Sequence, residues 1–277
     1  MTLKDILVHV DVREASGERL NAAINLAKAN GARLTGVYVK TRPYIPGYAE
    51  AQIAAEVLQE QAKKEDEAAK EAGEKFQAAV GSNGLETGWR VLDGEVTEII
   101  AEQARFYDLV VVGQCDPDSK IFMGDCDMPD RLITESGRPA LVIPYVGKYG
   151  TIGKHILVAW DGSPVAARAV HDAMPLLEMA EKVTVMVINP EEGSGEKPEL
   201  PAADIADHLE RHGINVVTDS VKTDIKTADM LLSRASDLGA DMIVMGAYGH
   251  ARWAELMMGG VTDDILNHMT VPVLMSH

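Results

Sequence analysis

Short unbroken runs of Val, Ile and Leu alternate along the chain with longer stretches in which apolar residues recur at helical spacing. "KDILVHVD" (Lys4 to Asp11) is followed by the alanine-rich Ala22 to Ala29, then by a β-like run from Leu34 to Val39. "KHILVAWD" (Lys154 to Asp161) opens the same sequence of events, with Ala166 to Ala180 and then Val183 to Ile188. "DLVVVG" (Asp108 to Gly113) is answered by "DMIVMG" (Asp241 to Gly246), and "RPALVIPYV" (Arg138 to Val146) by "TVPVLMSH" (Thr270 to His277). Matched landmarks in one order make the chain two copies of one unit, spanning 1–147 and 154–277, with "GKYGTIG" (Gly147 to Gly153) as linker.

Strands that are apolar on both faces and alternate with helices predict βαβ units around a parallel sheet. The expected architecture is α/β with five strands per copy, those of the second copy near 155–160, 183–188, 214–221, 241–245 and 271–275. Ser163 and Pro164 have the chemistry of an N-cap and first helical position. In the first copy, Leu58, Ala62, Ala69, Ala72, Phe76 and Val80 fall at helical spacing and predict a long amphipathic helix over Tyr48 to Val80. The second copy has the loop "PEEGSGEKPELP" there and a shorter helix from Ala203 to His212.

At 277 residues the chain has ample core for either one or two domains. No apolar run is long enough for a membrane span, and the early acids of "MTLKDILVHVDVRE" argue against a signal peptide. A net charge of −17 without an offsetting basic cluster makes nucleic acid an unsuitable partner. The two cysteines, Cys115 and Cys126, are too few for a disulfide framework. The expected compartment is therefore the cytoplasm, where a Cys115–Cys126 disulfide is disfavoured.

The densest chemical signal is "GAYGHARWAELMMGGVT", Gly246 to Thr262, directly after an apolar strand. In open parallel sheets ligands bind beyond the carboxyl ends of the strands. Gly246, Gly249, Gly259 and Gly260 let backbone N–H groups approach a ligand, and the helix beginning at "VTDDILNHM" supplies unpaired donors and partial positive charge. Thr262 adds a hydroxyl, and Asp161, at a neighbouring strand end, can accept from a ribose hydroxyl or hold a phosphate-bound metal. Asp161 can equally cap its own turn. Trp253 suits loop packing, and His250 suits a backbone role better than that of a base. Neither a P-loop nor a dinucleotide-binding G-x-G-x-x-G fingerprint occurs.

The spacing G-x2-G-x9-G at Gly246, Gly249 and Gly259, with the Asp ending strand one and the closing "PVL" strand, resembles the ATP-binding signature of the universal stress protein family. The resemblance covers nearly the whole chain as two tandem domains. It implies an adenine-nucleotide α-hydrolase-like sheet of order 3-2-1-4-5 in each copy. It also implies that Asp161, the Val187 region, Gly246, Gly249, His250, Gly259, Gly260, Val261 and Thr262 surround ATP or another adenine nucleotide, to which Mg²⁺ is an optional companion. Gly260 stands where the family usually has Ser or Thr, which removes a hydroxyl but keeps the amide.

The first copy keeps Asp11 and Gly113, and Gly124 can stand in for Gly259, but Asp116 replaces Gly249. Asp125 and Asp127 would put carboxylates near the phosphates, so this copy is expected to have lost the nucleotide site. A metal site from Cys115, Asp116, Asp118, Asp125, Cys126 and Asp127 is the alternative, although the spacing matches no zinc or EF-hand pattern. The resemblance implies stress-response regulation through nucleotide occupancy. Slow Mg-dependent ATP hydrolysis and a nucleotide-independent interaction module, docking a protein partner on the Tyr48 to Val80 helix, are the alternatives. By the same resemblance the last strands, Arg138 to Val146 and Thr270 to His277, should pair within the chain, with a homodimer through other surfaces left open.

Overall fold

A computed structural model describes residues 2–41, 55–81, 84–117, 127–190, 202–249 and 260–277. In the first copy the elements are β1 (Asp5–His9), α1 (Ala15–Asn30), β2 (Arg33–Lys40), α2 (Ala55–Val80), β3 (Thr87–Asp93), α3 (Val96–Ala104), β4 (Leu109–Gly113), α4 (Met128–Glu135) and β5 (Ala140–Ile143). The second copy repeats them as β6 (His155–Ala159), α5 (Pro164–Leu177), β7 (Lys182–Ile188), α6 (Ala203–Arg211), β8 (Val216–Val221), α7 (Thr227–Leu238), β9 (Met242–Gly246), α8 (Val261–His268) and β10 (Val273–Ser276). Ser163 caps α5 as expected, its Oγ accepting from the Ala166 N–H at 3.2 Å, with Pro164 in the first turn.

The strands form one ten-stranded sheet, β3-β2-β1-β4-β5-β10-β9-β6-β7-β8. Read inward from either end, each copy has the order 3-2-1-4-5 that the resemblance implied. Pairing is parallel within each copy and antiparallel only between β5 and β10, where Leu141 lies opposite Leu274 and Val142 opposite Val273. The expected intrachain pairing of the two last strands is therefore present.

Successive strand residues point to opposite faces, and each face carries its own apolar layer. Ile6, Val8, Leu141, Val158 and Leu274 pack with α1, α2, α5 and α6 on one side. Leu7, Val142, Leu157, Val273 and Met275 pack with α3, α4, α7 and α8 on the other. At the end of the sheet away from the glycine loops, the repeated Asp holds strand one of its copy. Asp108 accepts from the Lys4 and Asp5 N–H groups, and Asp241 from those of Gly153, Lys154 and His155.

The long helix departs from expectation in its packing. Ala69, Ala72, Phe76 and Val80 are buried, but Leu58 is exposed, as is its neighbour Val57. A helix of 26 residues is about 39 Å long, whereas the eight-residue β2 spans about 26 Å, so the outer half of α2 has no sheet beneath it. The start of the expected helix, Tyr48 to Ala54, lies outside the described residues. Among the described residues no helix is long and apolar enough to cross a membrane.

The seam sets a testable energy. Leu274 is 1% exposed, and Leu274→Ala should destabilise the protein by about 2–5 kcal/mol. Urea unfolding should show a lower midpoint in a single transition shared by both copies. Two separated transitions would mean that the copies unfold independently despite their common sheet.

Candidate functional site

In the second copy a cleft of about 190 Å³ opens beyond the carboxyl ends of β6, β7 and β9. Its floor is apolar, from Ala159, Met186, Ile188 and Met245, and its rim carries Asp161, Ser163 and Thr262. Asp161 is exposed; its Oδ1 accepts from the Ser163 N–H at 2.9 Å. Its Oδ2 has no partner among the described residues. Asp161 thus caps its own turn with one oxygen, as one of the two sequence readings expects, and the other oxygen is left open.

Gly246 serves the scaffold first. A Cβ there would lie 2.6 Å from the backbone of both Val165 and Ala166, so the missing side chain lets the N-terminus of α5 close onto the end of β9. Gly249 is looser, with a Cβ 3.3 Å from Val165 Cγ2. Gly260 is the N-cap of α8 and makes no side-chain cap, which leaves the first N–H groups of the helix available. Val261 and Thr262 follow in that first turn, both lining the cleft. Thr262 Oγ1 accepts from the Tyr248 N–H at 3.3 Å, closing the loop onto α8 while its own hydrogen stays free to donate. Val187 faces the other way: its side chain packs in the opposite core layer, so only its backbone can serve the cleft side. His250 and Gly259 lie outside the described residues, as does Trp253.

An acidic first turn opposes an anion at a helix N-terminus. In α8 both acids are engaged: Asp264 Oδ2 accepts from Lys226 Nζ at 3.2 Å, and Asp263 Oδ1 from the Tyr248 hydroxyl at 3.3 Å. The same hydroxyl reaches Asp130 Oδ1 on α4 of the first copy. Burial holds the Tyr248 hydroxyl above its ordinary range, with Asp130 and Asp263 adding to the effect. Burial likewise raises the Asp130 carboxyl, reinforced by the like charge of Asp263 and opposed by the Tyr248 hydrogen bond.

The corresponding region of the first copy is chemically different. Asp11 Oδ2 accepts from Arg13 Nε at 2.8 Å and from Arg19 Nη2 at 3.0 Å, and Oδ1 from the Arg13 N–H at 2.9 Å. Arg19 is 4% exposed, and its Nη1 lies 2.5 Å from where a Cβ on Gly113 would be, too close for both. Gly246 opens a slot for helix backbone, whereas Gly113 opens one for a guanidinium. Burial alone would raise the Asp11 carboxyl; Arg19, His9 and Arg13 outweigh it and hold the group well below the usual carboxylate range. His9, two residues before Asp11, takes the place of Ala159 in the second copy. Burial, with Arg19 beside it, lowers its pKa to about 3, and its Nδ1 has no hydrogen-bond partner.

Sequence reasoning missed this arginine pair. A signal existed, since the second copy has Ser163 and Ala169 where the first has Arg13 and Arg19. Of the loop acids, Asp116 lines a cleft of about 730 Å³ with Asp11 and Arg19, and Asp127 is the N-cap of α4 without a side-chain cap bond. Asp118, Gly124, Asp125 and Cys126 lie outside the described residues. Among the described residues no group of three or more His, Cys, Asp or Glu is placed to hold a metal. Cys115 is disulfide-bonded, and the other cysteine of the chain is Cys126. This corrects the expectation that a disulfide is disfavoured, which rested on the expected compartment alone.

The family model described as the universal stress protein family matches residues 2–125 and again 153–277. A universal stress protein of Synechocystis sp. is 22% identical over 170 residues, 61% of this chain; the chain spans only 57% of that relative's length. A universal stress protein from Archaeoglobus fulgidus DSM 4304 superposes with a TM-score of 0.74 at 17% identity, covering 98% of this chain and 95% of that one. A Pseudomonas aeruginosa UCBPP-PA14 structure described as of the same family gives 0.60 at 16% identity, covering 99% and 93%. At these identities the structural likeness establishes the fold.

Two outcomes follow from the site geometry. Gly246→Ala should cost about 1–3 kcal/mol, because the atoms it meets are backbone and cannot yield cheaply, while Gly249→Ala should stay within about 0.5 kcal/mol. Urea midpoints that are equal for the two variants would refute this ranking. The second outcome concerns acid. Unfolded chains take up a proton at His9 below pH 6.5, but the folded protein does not until about pH 3. Stability from this group is therefore complete above pH 6.5 and falls toward pH 3, by up to about 1.4 kcal/mol per pH unit. His9→Ala should flatten the stability slope between pH 6.5 and about 5, above the range in which carboxylates of the unfolded chain take up protons; an unchanged slope would exclude His9 as its source.

Proposed function

Because the chain belongs to the universal stress protein family, we propose that its second copy binds ATP or another adenine nucleotide and that occupancy of this cleft is the regulated state of a stress-response protein. The observation that carries the reading is the contrast between the two aspartates. Asp161 keeps an unpartnered oxygen at the rim of a cleft beside the uncapped N-terminus of α8, whereas Asp11 is consumed by Arg13 and Arg19. In this reading the apolar floor of Met186 and Ile188 receives the base and Asp161 takes a ribose hydroxyl. The phosphates lie over Gly246, Gly249, Gly259, Gly260 and the first turn of α8, with His250, Val261 and Thr262 alongside and the backbone of Val187 at the base. Mg²⁺, where present, would travel with the phosphates, and Asp161 would then serve the metal in place of the ribose hydroxyl.

Efficient turnover is not part of the reading. Of the described residues lining the cleft only Asp161 and Tyr248 are ionisable; in this reading the first is engaged with the nucleotide and the second with Asp130 and Asp263, which leaves neither as a base for water. Titration calorimetry with ATP should find one site per chain. Asp161→Ala should weaken it by roughly tenfold to a hundredfold, the worth of a hydrogen bond to a charged group. Two equivalent sites per chain, or an affinity indifferent to Asp161→Ala, would overturn the assignment. A steady-state ATPase rate on the order of ten per second that vanishes in that variant would replace it with an enzyme.

A further inference from the structure

Each copy's glycine loop holds the last helix of the other copy. Gln114, directly after Gly113, donates from Nε2 to the Leu266 carbonyl on α8 at 2.8 Å. Tyr248, two residues after Gly246, reaches Asp130 on α4 with its hydroxyl. The two contacts differ in kind. Gln114 makes a buried bond to backbone, but Tyr248 stands between two carboxylates, Asp130 and Asp263, the third residues of α4 and α8 and counterparts in the repeat. The clasp is one-sided, since the first copy has Cys115 in the corresponding place. Tyr248 also holds a left-handed backbone conformation, φ 53°, unusual for a bulky residue, and its N–H is tied to Thr262. Its backbone is therefore tied to the α8 end of the cleft while its hydroxyl reaches across the interface.

A phenol carries one hydrogen and can satisfy one carboxylate fully at a time. An anion over the first turn of α8 raises the cost of the Asp263 charge and so draws that hydrogen toward Asp263, away from Asp130. We infer that Tyr248 is a positioning residue that couples filling of the second-copy cleft to release of helix α4 in the first copy. The inference rests on the nucleotide reading above for the identity of the anion, but the clasp is a property of the chain alone. Coupling is reciprocal: whatever frees Tyr248 from Asp130 must favour the ligand by the same factor.

Hydrogen exchange across 128–135 and calorimetry with ATP, both on the full chain, test this. Without nucleotide, Tyr248→Phe should raise amide exchange in α4 by about tenfold, the worth of a bond to a charged acceptor. Unchanged exchange would overturn the clasp whatever the nucleotide does. Saturating ATP should raise α4 exchange in the wild-type chain. ATP that binds without doing so leaves the nucleotide reading intact and sinks the coupling; ATP that does not bind at all sinks the nucleotide reading, and the comparison without ligand still decides the clasp. Asp130→Ala, which meets the cleft lining only through Tyr248, should tighten ATP binding by up to about tenfold, with Asp130→Asn giving a smaller shift in the same direction. In a Tyr248→Phe background the Asp130→Ala gain should disappear. A structural role alone would predict weaker binding or none of these changes, and either result at Asp130 would overturn the inference.

Discussion

The antiparallel pairing of β5 with β10 is the contact on which the rest of the molecule depends. A parallel five-stranded sheet ends in a strand with unpaired N–H and C=O groups, an edge that invites association. Here each copy supplies the other's missing neighbour. The local two-fold relation turns two three-layer units into one continuous sheet with Leu141 and Leu274 in one apolar layer and Val142 and Val273 in the other. It also brings α4 and α8 together, with their first turns close enough for one tyrosine to reach both. Without the seam, neither Gln114 nor Tyr248 would have a partner in the opposite copy.

On this symmetric frame the two strand ends do different work. Both copies keep an Asp after strand one and a Gly at the end of strand four, yet the slot opened by the glycine is filled by backbone in one and by Arg19 in the other. A buried guanidinium requires a counter-charge, because removing either partner leaves an unpaired charge in a low dielectric. Asp11 is that counter-charge and is no longer available to a ligand. Asp161 faces no such demand, since Ala169 stands in the place of Arg19, and its carboxylate stays at the rim with one oxygen open. The same residue type at the same fold position thus serves as a structural anion in one copy and as a candidate ligand contact in the other.

Charge at the α8 N-terminus follows a similar economy. Asp263 and Asp264 would repel an anion, but Lys226 and Tyr248 come from outside the helix to engage them. The loop's geometry and its electrostatics are thereby tied to α7 and to the first copy, so the cleft is not a self-contained pocket of the second copy.

The repeat, the parallel class of the sheet, the strands and the Ser163 cap were legible in the sequence because they depend on local periodicity and on residues a few positions apart. Runs apolar on both faces specify buried parallel strands, and the matched landmarks specify two copies. The glycine stretch likewise marked a strand end, β9 closing at Gly246. Long-range chemistry was hidden. That Gly246 admits the α5 backbone, that Val187 turns from the cleft, that Arg19 folds back onto Asp11, and that the outer half of α2 extends beyond the sheet all depend on which surfaces meet. Tyr248 meeting Asp130 is the furthest case, joining residues 118 positions apart. Periodicity assigns a side chain to a face of its own element. Only packing decides what stands opposite that face, and hence whether a carboxylate is neutralised, shared or left free.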